Sequence, residues 1–75
     1  MKTLSLYDKD PKEISYLVEQ FIDTGDRPIQ IITDNDFYSK RKKVVSEILI
    51  RKRKEGGIKF YCLFNTPYTT WRIYD

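Results

Sequence analysis

One stretch decides what this chain can fold into. Residues 37–54 hold eight basic side chains, and their apolar ones suit either a helix or the first arm of a long basic hairpin turning at Gly56-Gly57. On a helical wheel Phe37, Tyr38, Val44, Val45, Ile48 and Leu49 share one face, and only Ile50 falls outside it. In a strand Val44 and Val45 would take opposite faces, as would Ile48 and Leu49. The apolar period is helical. Arg41 and Lys52 flank the stripe, where their stems can lie on apolar surface while their heads stay in water. Gly56 then ends the helix as a left-handed residue.

The remaining segments fall into place around that helix. Residues 1–7 alternate, with Leu4 and Leu6 on one face and Thr3, Ser5 and Tyr7 on the other, the pattern of a half-buried strand. Asp10-Pro11-Lys12-Glu13 is a helix start: Asp10 caps, Pro11 needs no N–H, and Glu13 completes a capping-box-like pair. Ile14, Leu17, Val18, Phe21 and Ile22 recur at helical spacing, so a helix is predicted over Pro11–Thr24, with Gly25 as its cap. Ile29–Thr33 is a short buried strand, and Thr33-Asp34-Asn35-Asp36 supplies N-cap candidates for the second helix. Ile58, Phe60, Cys62 and Phe64 alternate with Lys59, Tyr61 and Leu63. Thr69, Trp71 and Ile73 alternate with Tyr68, Thr70, Arg72 and Tyr74. The turn residues Asn65-Thr66-Pro67 join these two strands into an antiparallel hairpin.

The order β-α-β-α-β-β, with right-handed crossovers, predicts an α/β chain of the two-layer α+β sandwich type. It comprises a four-stranded mixed sheet with both helices on one face, and its 75 residues make one domain. A ferredoxin-like β-α-β-β-α-β plan needs two strands between the helices, and this chain has one. At this length folding removes only about 60% of the unfolded chain's surface from water.

Charge is strongly polarised. Residues 1–36 carry four basic and eight acidic groups, residues 37–75 ten basic and three acidic, so the net +3 hides halves of −4 and +7. The chain has no histidine, which excludes Ser-His-Asp and Cys-His catalysis and histidine-ligated zinc. One cysteine cannot form an internal disulfide, and no apolar run approaches the ~18 residues of a membrane span. With neither a signal-peptide core nor a cleavage pattern at the start, the expected setting is cytoplasmic.

Three constellations can carry function. Lys40, Lys43, Arg51 and Lys54 fall in one sector of the second helix, with Lys42 and Arg53 on a flank; Lys43 and Lys54 lie about 16 Å apart along the axis. Such a face can grip several phosphates. It is equally the form of a solvated helix face in which Glu47 pairs with Lys43 and Arg51. The bare sheet face gathers Lys59, Tyr61, Leu63, Thr70, Arg72 and Tyr74, joined by Tyr7: a base-stacking surface, a homodimer surface or plain strand. Asp8, Asp10, Asp34 and Asp36 meet at the ends of two parallel strands, where Mg²⁺ can bind, although helix capping already employs two of them. Cys62 faces the core with no cation near it in sequence, as an inert thiol. Trp71, Phe60 and Phe64 form core aromatic packing.

The element order resembles the plan shared by Alba chromatin proteins, the C-terminal domain of translation initiation factor 3 and a family of small sulfur-carrier proteins. The sulfur carriers have Cys-Pro at the first helix start, where this chain has Asp10-Pro11, so their activity is not implied. The resemblance to the other two implies nucleic-acid binding.

The expected function is therefore a non-enzymatic nucleic-acid-binding domain without cofactor or metal, probed through Lys40, Arg41, Lys42, Lys43, Arg51, Lys52, Arg53, Lys54, Lys59 and Arg72. Tyr7, Tyr61 and Tyr74 form its stacking or dimer surface. The alternative is a small regulatory or inhibitory protein-interaction module docking by its basic helix on an acidic protein surface, or by its tyrosine-rich sheet face. A homodimer and the absence of a membrane partner complete the expectation.

Overall fold

The computed structural model describes residues 2–24, 27–36, 39–65 and 68–74, with the backbone alone for Thr24, Phe64 and Asn65. Its elements are β1 (Lys2–Ser5), α1 (Pro11–Thr24), β2 (Ile29–Asp34), α2 (Lys40–Lys54), β3 (Lys59–Asn65) and β4 (Tyr68–Tyr74). The order β-α-β-α-β-β is the predicted one. Asp10 caps α1 as expected, accepting a 2.9 Å hydrogen bond from the Lys12 N–H; the reciprocal Glu13 bond of a capping box is absent among the described residues.

The start of α2 differs from expectation. It begins at Lys40, and its N-cap is Ser39, whose hydroxyl accepts from the Lys42 N–H; neither Asp34 nor Asp36 caps it. Asp34 ends β2, and the Asp36 carbonyl instead accepts the Ser39 N–H in a turn. Phe37, Tyr38, Gly25 and the Thr66-Pro67 turn lie outside the described residues. At the other end Gly56 takes φ +83°, the left-handed conformation expected of it.

The sheet runs β1-β2-β4-β3, with β1 parallel to β2 and the other neighbours antiparallel. The Leu6 N–H extends the first ladder to the Ile32 carbonyl at 2.8 Å. Cross-strand rows follow from the register. Leu4, Ile31, Trp71 and Cys62 form one row toward the helices, and Ile29, Ile73 and Phe60 form another. Ile14, Val18 and Ile22 of α1 and Val45, Ile48 and Leu49 of α2 close over them, completed by Leu6 and Ile58. Each fully buried aliphatic side chain contributes roughly 1.5–3 kcal/mol. Both helices therefore lie on one face, and among the described residues no layer covers the opposite face.

The inner position of β4 has a visible cause. Its helix-facing residues Thr69, Trp71 and Ile73 are buried, whereas Phe60 and Cys62 of β3 are only partly so. The helices cover the middle of the sheet and leave β3 as a seven-residue edge strand.

Candidate nucleic-acid interface

The basic groups of α2 divide between its two flanks. On the flank toward α1, Arg51 pairs with Glu19, and Lys52 Nζ lies 3.4 Å from Asp23 Oδ1. At the N-terminal end Arg41 donates to the Lys9 carbonyl, with one guanidinium nitrogen 3.8 Å from Asp34 Oδ1. Lys42 donates to Asn35 Oδ1, which also accepts from the Thr69 hydroxyl. Thus the acidic half of the chain engages Arg41, Arg51 and Lys52, three groups that sequence reasoning assigned to phosphates. The expected Glu47 pairs with Lys43 and Arg51 do not form; Arg51 pairs instead with Glu19 of α1, which lies alongside.

Lys40, Lys43, Arg53 and Lys54 remain without a carboxylate partner among the described residues. Lys40 and Lys43 border, with Glu47, a groove of about 600 Å³ between the first turns of α1 and α2. Ile50, the one residue outside the predicted apolar stripe, is exposed at 37% on α2.

The uncovered sheet face is rich in tyrosine. Tyr7, Tyr61, Tyr68 and Tyr74 are each 40–45% exposed, four of the six large exposed apolar side chains among the described residues. They form two pairs. Tyr7, just beyond β1, stands 5.1 Å from Tyr68 between ring centroids, and Tyr61 stands 6.0 Å from Tyr74 with the planes inclined at 54°. The register pairs Tyr61 with Arg72 and Lys59 with Tyr74, so cations and rings alternate at one end of the face. Arg72 reaches the Tyr61 hydroxyl at 3.4 Å. Tyr68 was missing from the expected surface, although it shares the β4 parity of Arg72 and Tyr74, which was the available signal.

The two basic regions meet at the β3 edge. The Arg53 guanidinium sits 4.9 Å from the Phe60 ring centroid on the helix side, while the preceding residue, Lys59, faces the open side. Arg53 and Lys59 also line one cavity of about 480 Å³ with Gly56, Gly57 and Ile58.

Cys62 is half-buried on the helix side, as predicted, but cations do stand near it: Lys42 and Arg53 border the same cavity, along with Ser46, Ile50, Phe60 and Trp71. Burial pushes the Cys62 thiol above its ordinary range, with Lys42 opposing that shift. Trp71 is in the core, and the Phe64 side chain lies outside the described residues. Asp8, Asp10, Asp34 and Asp36 do not converge, and no three potential metal-ligating side chains cluster among the described residues. Among those residues, too, no helix is long and apolar enough to cross a membrane.

No protein-family model, curated protein or solved structure matches this chain. The likeness noted above is one of element order alone.

Proposed function

We propose that this chain is a non-enzymatic nucleic-acid-binding domain whose phosphate contacts come from Lys40, Lys43, Arg53 and Lys54 of α2. One observation carries the reading: Asp34, Glu19 and Asp23 of the acidic half lie against Arg41, Arg51 and Lys52, whereas Lys40, Lys43, Arg53 and Lys54 have no carboxylate partner among the described residues. Exposed cations without internal carboxylate partners are what counterion release on a polyanion requires. Four phosphate contacts give a log–log salt slope of roughly −3 to −4 on duplex DNA. A lone thiol suits the reducing cytoplasm.

Mobility shifts with random duplex DNA, single-stranded DNA and RNA at low salt test it. Binding that weakens steeply with salt, and collapses in Lys40→Glu/Lys43→Glu/Lys54→Glu, is the expected result. Indifference to all three ligands at low salt would discard the proposal.

Ile50 favours a second reading, a protein-interaction module. An exposed apolar residue on the cationic helix suits an acidic protein surface with an apolar spot. Ile50→Ser separates the two readings: it weakens a protein partner and spares nucleic acid.

A further inference from the structure

We propose that the uncovered sheet face is a single-strand site, with bases stacked on Tyr61 and Tyr74 and phosphates held by Lys59 and Arg72. This rests on the nucleic-acid reading above and narrows it to one form of ligand.

The chemistry of the corner is specific. Lys59, Tyr74, Arg72 and Tyr61 occupy a two-by-two block in the β3–β4 register, each cation directly opposite a ring. The Tyr61 and Tyr74 ring planes are inclined at 54°, so the two rings do not stack on each other. A cavity of about 330 Å³ lies against them, lined by Pro28, Tyr61, Arg72, Ile73 and Tyr74. Arg72 donates to the Tyr61 hydroxyl, and its buried Nε has no acceptor among the described residues. Exposed rings beside cations bind unpaired bases with little regard to sequence, because every base has a π-face and every nucleotide a phosphate. A duplex hides its base faces and gains only the charge term.

Charge selects this occupant over a second copy of the chain. Among the described strand residues, Asp34 is the only carboxylate on the open face, and it already lies against Arg41. The described strand residues of a second copy would bring Lys59 and Arg72 no free carboxylate, whereas a polyanion brings one negative charge per nucleotide. The route off the face is also cationic: Lys59 shares a cavity with Arg53, so a strand passing the β3 edge reaches α2.

Fluorescence anisotropy with labelled dT12, rU12 and a 12-base-pair duplex tests the site at two salt concentrations. The single strands should bind more tightly than the duplex. Tyr61→Ala/Tyr74→Ala should weaken them about 30-fold or more, the loss expected for two stacked bases, with duplex binding unchanged. Tyr61→Phe/Tyr74→Phe should retain single-strand affinity. Tyr61→Leu/Tyr74→Leu, which keeps apolar cover on the strands, should lose it even if the alanine pair disturbs the sheet. Equal affinity for single strand and duplex, with the leucine pair neutral, would overturn this site alone. So would a dimer broken by those substitutions with single-strand binding intact. If none of the three probes binds, the nucleic-acid reading itself falls.

Discussion

The Arg53 guanidinium lies over Phe60, 4.9 Å from its ring centroid, at the point where β3 leaves the shelter of the helices. The contact covers one side of an exposed strand edge with a charged group, which also discourages edge-to-edge pairing. Arg53→Gln should cost about 0.5–1 kcal/mol in urea denaturation. The same change should reduce the magnitude of the duplex salt slope by roughly one unit. A stability loss with an unchanged slope would confine Arg53 to packing.

The ion pairs between the helices set a second expectation. Glu19 and Asp23 neutralise Arg51 and Lys52 at exposed positions, where such pairs contribute about 0.2–1 kcal/mol each. Glu19→Gln/Asp23→Asn should therefore lower stability only slightly while releasing two cations. Affinity for duplex DNA should rise, with a steeper salt dependence. Weaker binding would show that these carboxylates orient the basic face instead of masking it.

Gly56 and Gly57 are adjacent but differ in what they tolerate. Gly56 has φ +83°, and a methyl group there meets nothing within 4 Å, so Gly56→Ala carries only backbone strain, about 1 kcal/mol. Gly57 has no such φ, and its added methyl would meet only the Lys52 carbonyl at 3.8 Å, an ordinary contact. Gly57→Ala should be neutral or mildly stabilising by thermal denaturation. Equal losses at both sites would contradict the left-handed assignment.

Leu49 and Ile31 are fully buried on opposite sides of the helix–sheet interface. Leu49→Ala or Ile31→Ala should cost about 2–5 kcal/mol, a large share of what a domain of this size possesses. Trp71, the only tryptophan and 3% exposed, reports the transition by its fluorescence.

Cys62 supplies a pH test. Because burial favours the neutral thiol, its folded-state pKa lies above the ordinary value, and little thiolate is present near neutrality. Iodoacetamide should modify the native protein more slowly than the urea-unfolded chain, with the native rate rising at higher pH. Removing Lys42 as Lys42→Gln should move the rate profile further up in pH, since that cation opposes the shift. A profile unmoved by Lys42→Gln would remove Lys42 from the thiol's environment.

Amphipathic period was enough to specify the elements. Ile14, Val18 and Ile22 on one helix and Val45, Ile48 and Leu49 on the other each form a stripe that only a shared face of one sheet can bury. Alternation along β3 and β4 likewise told which residues face the helices. Side-chain direction repeats every two or 3.6 residues, so local sequence determines it. The start of α2 was less legible: Thr33, Asp34, Asn35 and Asp36 can all cap a helix, and only the geometry of the turn selects Ser39.

What local sequence could not determine was adjacency. A hairpin can dock on β2 by either arm; burial of Trp71 and Ile73 from both sides places β4 inside and leaves β3 at the edge. The fate of the cations depends on the same kind of information. Glu47 is the near neighbour of Arg51 along α2, yet Glu19, 32 residues away in sequence, takes it because α1 packs alongside. Charges interact through space, and at these distances a single helix–helix contact outweighs sequence proximity.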